Sequence, residues 1–67
     1  MMISVEKLDL LLANNIIPIQ KLSEDSGVSR VTIARMRSGT QKARPQTIGK
    51  LAKALGCKVE DLLEEER

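Results

Sequence analysis

The sequence predicts an all-α protein, a compact bundle of five short helices around one core. Three observations carry that reading. Apolar residues recur at spacings of three and four, as in Val5, Leu8, Leu11 and Leu12 or Ile48, Leu51, Ala52 and Leu55. Gly27, Gly39 and Gly56 close such runs, where a helix commonly ends in a left-handed residue. The apolar residues are mostly Leu, Ile, Val and Ala, with no Phe, Tyr or Trp, which suits close helix packing. A chain of 67 residues makes one domain, 1–67, near the lower limit for folding without a staple. The single thiol, Cys57, has no disulfide partner, and no histidine can help it hold a metal.

The first helix opens at Ser4, whose side chain can cap it, and Glu6 suits the positive end of its dipole. Asn14 and Asn15 tolerate the left-handed turn that ends it. Pro18 fits the first position of a second helix, where its missing N–H costs nothing. Ile19 and Leu22 face inward, and Gly27 ends that helix after little more than two turns. Ser29 caps a third helix in which Ile33 and Met36 share the core side. Val31, Ala34, Arg35 and Ser38 fall on the opposite side, and Gly39 stops it. Two short helices joined by Gly-Val-Ser cannot lie antiparallel. They cross steeply, which makes about 18–39 a helix-turn-helix.

A polar, basic loop follows over residues 40–44. Pro45 opens a fourth helix with Ile48, Leu51, Ala52 and Leu55 buried and Lys50 and Lys53 on the solvated side. Val59, Leu62 and Leu63 mark a short fifth helix, with Glu60 and Asp61 near its N-terminus, and the EEER end is expected to fray.

Charge separates the chain into three parts. Up to residue 25, Lys7 and Lys21 face Glu6, Asp9, Glu24 and Asp25, a net −2. Residues 26–59 hold Arg30, Arg35, Arg37, Lys42, Arg44, Lys50, Lys53 and Lys58 without an acid, a net +8. The remainder is −4, so the overall +2 conceals a strongly basic middle. Such asymmetry points to a polyanion, against the plainer reading of a surface evened out by folding. The missing aromatic rings argue against a single-stranded nucleic acid, which is usually held by stacked bases.

The third helix shows how duplex DNA would be read. A major groove admits one α-helix. Ala34 lets the helix axis approach closely, and Arg30 and Arg35 can reach guanine O6 and N7. Val31 offers methyl groups to a thymine methyl. Ser29, Thr32 and Thr40 can meet phosphate oxygens, with Lys42 and Arg44 beside the helix end fixing register on the backbone. The N–H groups of Ile19 and Gln20 add a helix N-terminus suited to phosphate. Arg37 lies nearer the core side and reads as a structural ion-pair or packing residue. Cys57 reads as a small buried apolar residue and Met36 as core.

The run Leu-Ser-x-x-Ser-Gly-Val-Ser-Arg-x-Thr-Ile from Leu22, followed by LAKALGCKVEDLL from Leu51, resembles the lambda-repressor-like, Cro/repressor-type helix-turn-helix family. The resemblance covers nearly the whole chain. It implies a five-helix bundle, a helix over 29–38 in the major groove, and commonly a homodimer on a two-fold-symmetric operator. It places base contacts at Arg30, Val31 and Arg35, and suggests Leu62 or Leu63 for the dimer interface. Three positions depart from the family pattern. Ile19 stands where many relatives carry a phosphate-contacting Gln, with Gln20 as the neighbouring amide. Arg37 and Leu12 stand where relatives often pair Glu with Arg, so that polar pair is expected to be lost. Lys58 replaces the usual Ser or Thr cap of the last helix, which is expected to start weakly.

The leading function is a double-stranded DNA-binding transcriptional regulator of the repressor kind. A competing reading is an antitoxin-like or adaptor module, for which the acidic tail and Leu10, with Ile16 or Ile17, would serve a protein partner. Catalysis has no support: there is no His, no nucleophile–base pair and no clustered carboxylates facing a cleft, and no cofactor or metal is expected. No apolar run nears the ~18 residues of a membrane span. Acids inside the apolar start argue against a signal peptide, so the cytoplasm is the expected location.

Overall fold

The computed structural model describes residues 3–64. Four α-helices occur among them: α1 (Val5–Asn15), α2 (Ile19–Ser26), α3 (Arg30–Ser38) and α4 (Pro45–Leu55). The expected fifth helix is a single 3-10 turn, Val59–Leu62, so the five-helix count is corrected to four. The reason lies in the backbone after Leu62. Leu63 is extended (φ −93, ψ 149) and pairs as an isolated antiparallel bridge with Ile3. Ser4 N–H donates to the Leu62 carbonyl at 2.7 Å and Lys7 Nζ to the Leu63 carbonyl at 2.9 Å. Carbonyls that would continue a helix are thus taken by the start of the chain. The missing Ser or Thr cap is replaced from inside the turn, where Asp61 accepts from the Lys58 N–H at 3.1 Å. The fraying expected for EEER lies, for 65–67, outside the described residues.

The apolar stripes meet where the spacing placed them. Leu8, Ile33, Ile48, Leu51 and Leu62 have no exposed surface, and Leu22 almost none. α4 is the hub, packed against α2 and the 3-10 turn, while α1 meets that turn and α3 rests on α2. Two core members were not legible in the periodicity. Ile3 precedes the first helix, and Ala43 sits in the polar loop, yet both are 8% exposed. Leu62 is likewise core, so it cannot form the dimer interface suggested for it, and Leu63 is half-buried with its backbone engaged.

The helix ends are mostly as expected, with two corrections. Ser4 caps α1, accepting from Lys7 N–H at 3.2 Å, and Gly27, Gly39 and Gly56 end their helices at φ 75, 79 and 69. Pro18 is the N-cap of α2 and not its first residue, because its ψ of 155 is still extended. The left-handed residue after α1 is Ile16 (φ 53, ψ 51), one position beyond the asparagines, which remain helical. Asn15 instead turns back to donate to the Leu11 carbonyl at 2.8 Å. A β-branched residue in this region costs about 1–2 kcal/mol. Ile16→Asn is therefore expected to raise stability by about 1 kcal/mol, read as a higher urea midpoint with an unchanged slope.

Candidate nucleic-acid interface

The turn between α2 and α3 is held by its serines. Ser23 Oγ donates to the Val28 carbonyl at 2.6 Å, and Ser26 Oγ accepts from Val28 N–H at 3.2 Å. With Gly27 left-handed and Val28 buried, this fixes where α3 leaves the turn. Sequence reasoning did not assign a role to Ser23 or Ser26, although the Ser-x-x-Ser-Gly spacing carried the signal. Ser29 then caps α3, accepting from Thr32 N–H at 3.1 Å.

Ile33 and Met36 anchor α3 from below, which turns Arg30, Val31, Ala34 and Arg35 to solvent. Val31 is 58% exposed, which puts its methyl groups on the outward face of α3. The loop after α3 is pinned at both ends. Thr40 N–H and Gln41 N–H both donate to the Arg35 carbonyl, at 3.0 and 3.3 Å, and Ala43 is inserted into the core. Because Ala43 points inward, its neighbours Lys42 and Arg44 point outward. Arg44 is also the N-cap of α4, an end without a side-chain cap. A cation at the positive end of a helix dipole gains from an anion placed beside it. The α2 N-terminus at Pro18 is likewise uncapped, with the N–H groups of Ile19 and Gln20 in its first turn and Gln20 exposed. The Gln20 amide makes only a long contact, 3.4 Å, to Glu24.

The hydroxyls differ in what they have left to give. Ser29 Oγ spends its proton on Thr32 Oγ1 at 2.8 Å, which leaves the Thr32 proton free. Ser38 Oγ donates to the Arg35 carbonyl at 3.0 Å, so at the 2.8 Å contact between Ser38 and Thr40 it is Thr40 that donates. Thr32 can therefore donate to an incoming acceptor without breaking a bond, whereas Ser29 and Thr40 cannot.

Arg37 does form a structural ion pair, as its position suggested. Its Nη2 lies 2.7 Å from Asp9 Oδ1, tying α3 to α1. The pair that relatives make at positions 12 and 37 is absent, since Leu12 is buried in the core, and Arg37 takes Asp9, three residues earlier on α1, instead. Asp9 was missed because its partner lies 28 residues away. Both side chains are over a third exposed, so the pair contributes only about 0.2–1 kcal/mol. Asp9→Asn is expected to cost that much in dilute buffer and less at about 1 M salt, where the Debye length falls to ~3 Å, by chemical denaturation. Among the described residues Arg30, Arg35, Lys42 and Arg44 have no ion-pair partner, so their charge remains available.

Cys57 is half-buried against the core and not fully buried. Burial, with Asp61 nearby, pushes its thiol up, so it stays protonated at neutral pH. The described residues contain no group of three His, Cys, Asp or Glu side chains placed to hold a metal, and no helix long and apolar enough to cross a membrane.

A helix-turn-helix whose second helix is anchored from below and basic above defines a DNA-binding domain. Residues 7–66 match the family described as the Cro/C1-type HTH DNA-binding domain, and the chain belongs to that family. Comparison with curated proteins and with solved structures returned no match.

Proposed function

We propose that the protein is a sequence-specific transcriptional regulator of the cytoplasm, a repressor, that reads a two-fold-symmetric operator as a homodimer with α3 in the major groove. One observation carries the reading. Arg30 and Arg35 stand on the open face of α3 on either side of Ala34, neither with an ion-pair partner among the described residues, while Arg37, the remaining arginine of α3, is engaged by Asp9. A groove-facing surface needs a close approach flanked by reaching donors, and this face supplies both. Arg30, Val31 and Arg35 make the base contacts. Thr32, Lys42, Arg44 and Gln20 hold the sugar–phosphate backbone. Ser29 and Thr40 act there mainly by shaping the ends of α3. A repressor role follows from occupancy alone: a bound domain of this kind blocks a promoter without a further activity.

Selection of bound duplexes from a random pool, near physiological salt, tests this directly. An inverted repeat with half-sites about one turn, roughly 34 Å, apart is the expected product. Retention without enrichment, vanishing as salt rises, would overturn the sequence-specific reading. On a recovered site, Lys42→Ala is expected to weaken all sequences alike and lower the salt slope by roughly one unit, measured by titration at several salt concentrations.

A further inference from the structure

A serine inside a helix ordinarily turns its hydroxyl to solvent or back to a carbonyl one turn earlier. Ser23 does the opposite. From the middle of α2 its Oγ reaches five residues forward, past the end of the helix, and donates to the Val28 carbonyl at 2.6 Å. Its own carbonyl accepts from the Gly27 N–H at 2.9 Å. Ser26 Oγ accepts from the Val28 N–H at 3.2 Å. Both backbone polar groups of Val28 are therefore held by side chains of α2, and the Val28 side chain is buried. Val28 directly precedes Ser29, the N-cap of α3. So α3 departs from a residue fastened to α2 through its N–H and its carbonyl.

The packing of α3 does not fix its direction as closely. The helix rests on α2, and its buried residues are Ile33 and Met36. Apolar contacts are non-directional, so two of them hold α3 down without setting its tilt, whereas a hydrogen bond prefers one alignment. Beside its C-terminal end lies an open hollow of about 290 Å3 bordered by Ile3, Val5, Met36 and Ala43. The tie from that end to α1 is the exposed Arg37–Asp9 pair, which is weak. A helix of nine residues is about 13 Å long, so a tilt of about 10° at the turn moves its far end by about 2 Å. That exceeds the ~0.5 Å within which a binding group must be held.

We propose that Ser23 is the positioning residue of α3: through Val28 it sets the angle between α2 and α3, and with it the discrimination of the cognate site from other duplexes. The inference rests on the proposed reading of bases by α3. The Ser23 hydroxyl is spent inside the turn, so it acts through α3 and not by touching DNA. Backbone contacts tolerate a tilt, because Lys42 and Arg44 meet phosphates as long, flexible cations. Base contacts do not, because an arginine paired to a guanine edge needs both distance and direction. Loss of the Ser23 bond therefore acts on specificity and spares general affinity. Arg30, the first residue of α3, lies at the pivot, while Arg35 lies five residues along and is displaced more.

Ser23→Ala removes the donor while keeping a strong helix former, and Ser23→Thr restores the hydroxyl. Residual dipolar couplings of the backbone amides give the angle between α2 and α3 in the free proteins. The expected result is a changed or averaged angle in Ser23→Ala and the wild-type angle in Ser23→Thr, with α1 and α4 unmoved relative to α2 in both. Binding to the selected site and to a random duplex, at a temperature where every variant is folded, is the second readout. Ser23→Ala is expected to lose about tenfold on the selected site, with random-duplex binding unchanged and base preference relaxed first at the Arg35 contact. Ser23→Thr should keep the wild-type ratio. A purely structural role would lower the melting temperature and leave that ratio alone. An unaltered angle in Ser23→Ala, or an altered angle with the ratio intact, would overturn the proposal. A wild type that prefers no duplex would instead refute the DNA reading, and the angle, measured without DNA, would be unaffected.

Discussion

Leu62→Ala is expected to remove a large share of the protein's stability, and not to release monomers from a dimer. Leu62 has no exposed surface and sits in the 3-10 turn that α1 and α4 both pack against. Truncating a fully buried leucine costs about 2–5 kcal/mol, the removed methyl groups plus the cavity they leave. A chain of this size has only roughly 3–10 kcal/mol in total. The loss is therefore a large share of the whole. Thermal unfolding followed by circular dichroism at two protein concentrations separates the possibilities. A melting temperature lowered equally at both, by well over ten degrees (about 4–8 °C per kcal/mol for a domain of this size), is the expected outcome. A change in association with stability intact would mean that Leu62 faces a partner after all.

Arg35→Ala is expected to cost about 1–3 kcal/mol at one base pair of the cognate site and to relax the preference there. The fold itself should be indifferent to the change, since the Arg35 side chain is exposed and unpaired among the described residues while its backbone carbonyl does the holding of the loop. That separation makes the experiment clean. Melting should stay within a few tenths of a kcal/mol of wild type, as for surface substitutions generally, within about 0.5 kcal/mol. Binding to each single-base variant of the selected site should converge at one position only. Unchanged affinity and unchanged base preference would show that α3 does not enter the groove with this face. Arg37→Ala is the informative contrast, because Arg37 is held by Asp9 and its loss should register in stability before specificity.

Much of the core was legible from spacing alone. Ile48, Leu51, Ala52 and Leu55 recur at helical intervals, and all four are buried on one side of α4. Ser4 and Ser29 cap because a short hydroxyl before an apolar run has free N–H groups within reach, and Gly27, Gly39 and Gly56 end helices because the left-handed region is open to them. These are relations between residues three or four apart. The outward face of α3 follows from the same arithmetic: with Ile33 and Met36 turned in, Arg30, Val31, Ala34 and Arg35 must turn out. The basic middle of the chain needed no structure either, only a count.

What could not be read locally was decided by contacts between distant segments. The last turn stops at one cycle because Ile3 and Ser4 bind the backbone at Leu62 and Leu63, almost the length of the chain away. Asp9 finds Arg37 across 28 residues, so the arginine left over by the loss of the family's pair is engaged from another position of α1. Ala43 looks like one small residue in a polar loop until the fold inserts it into the core and so aims Lys42 and Arg44 outward. Ile16 takes the left-handed turn ahead of its asparagine neighbours, a choice visible only in the backbone itself. The sequence by itself determined the first four helices, their faces and the charge that seeks DNA, because those depend on neighbours within one helical turn. Tertiary structure alone decided how the ends are fastened, which charges are already spent and which apolar residues are left uncovered, because each of those depends on what the folded chain brings alongside.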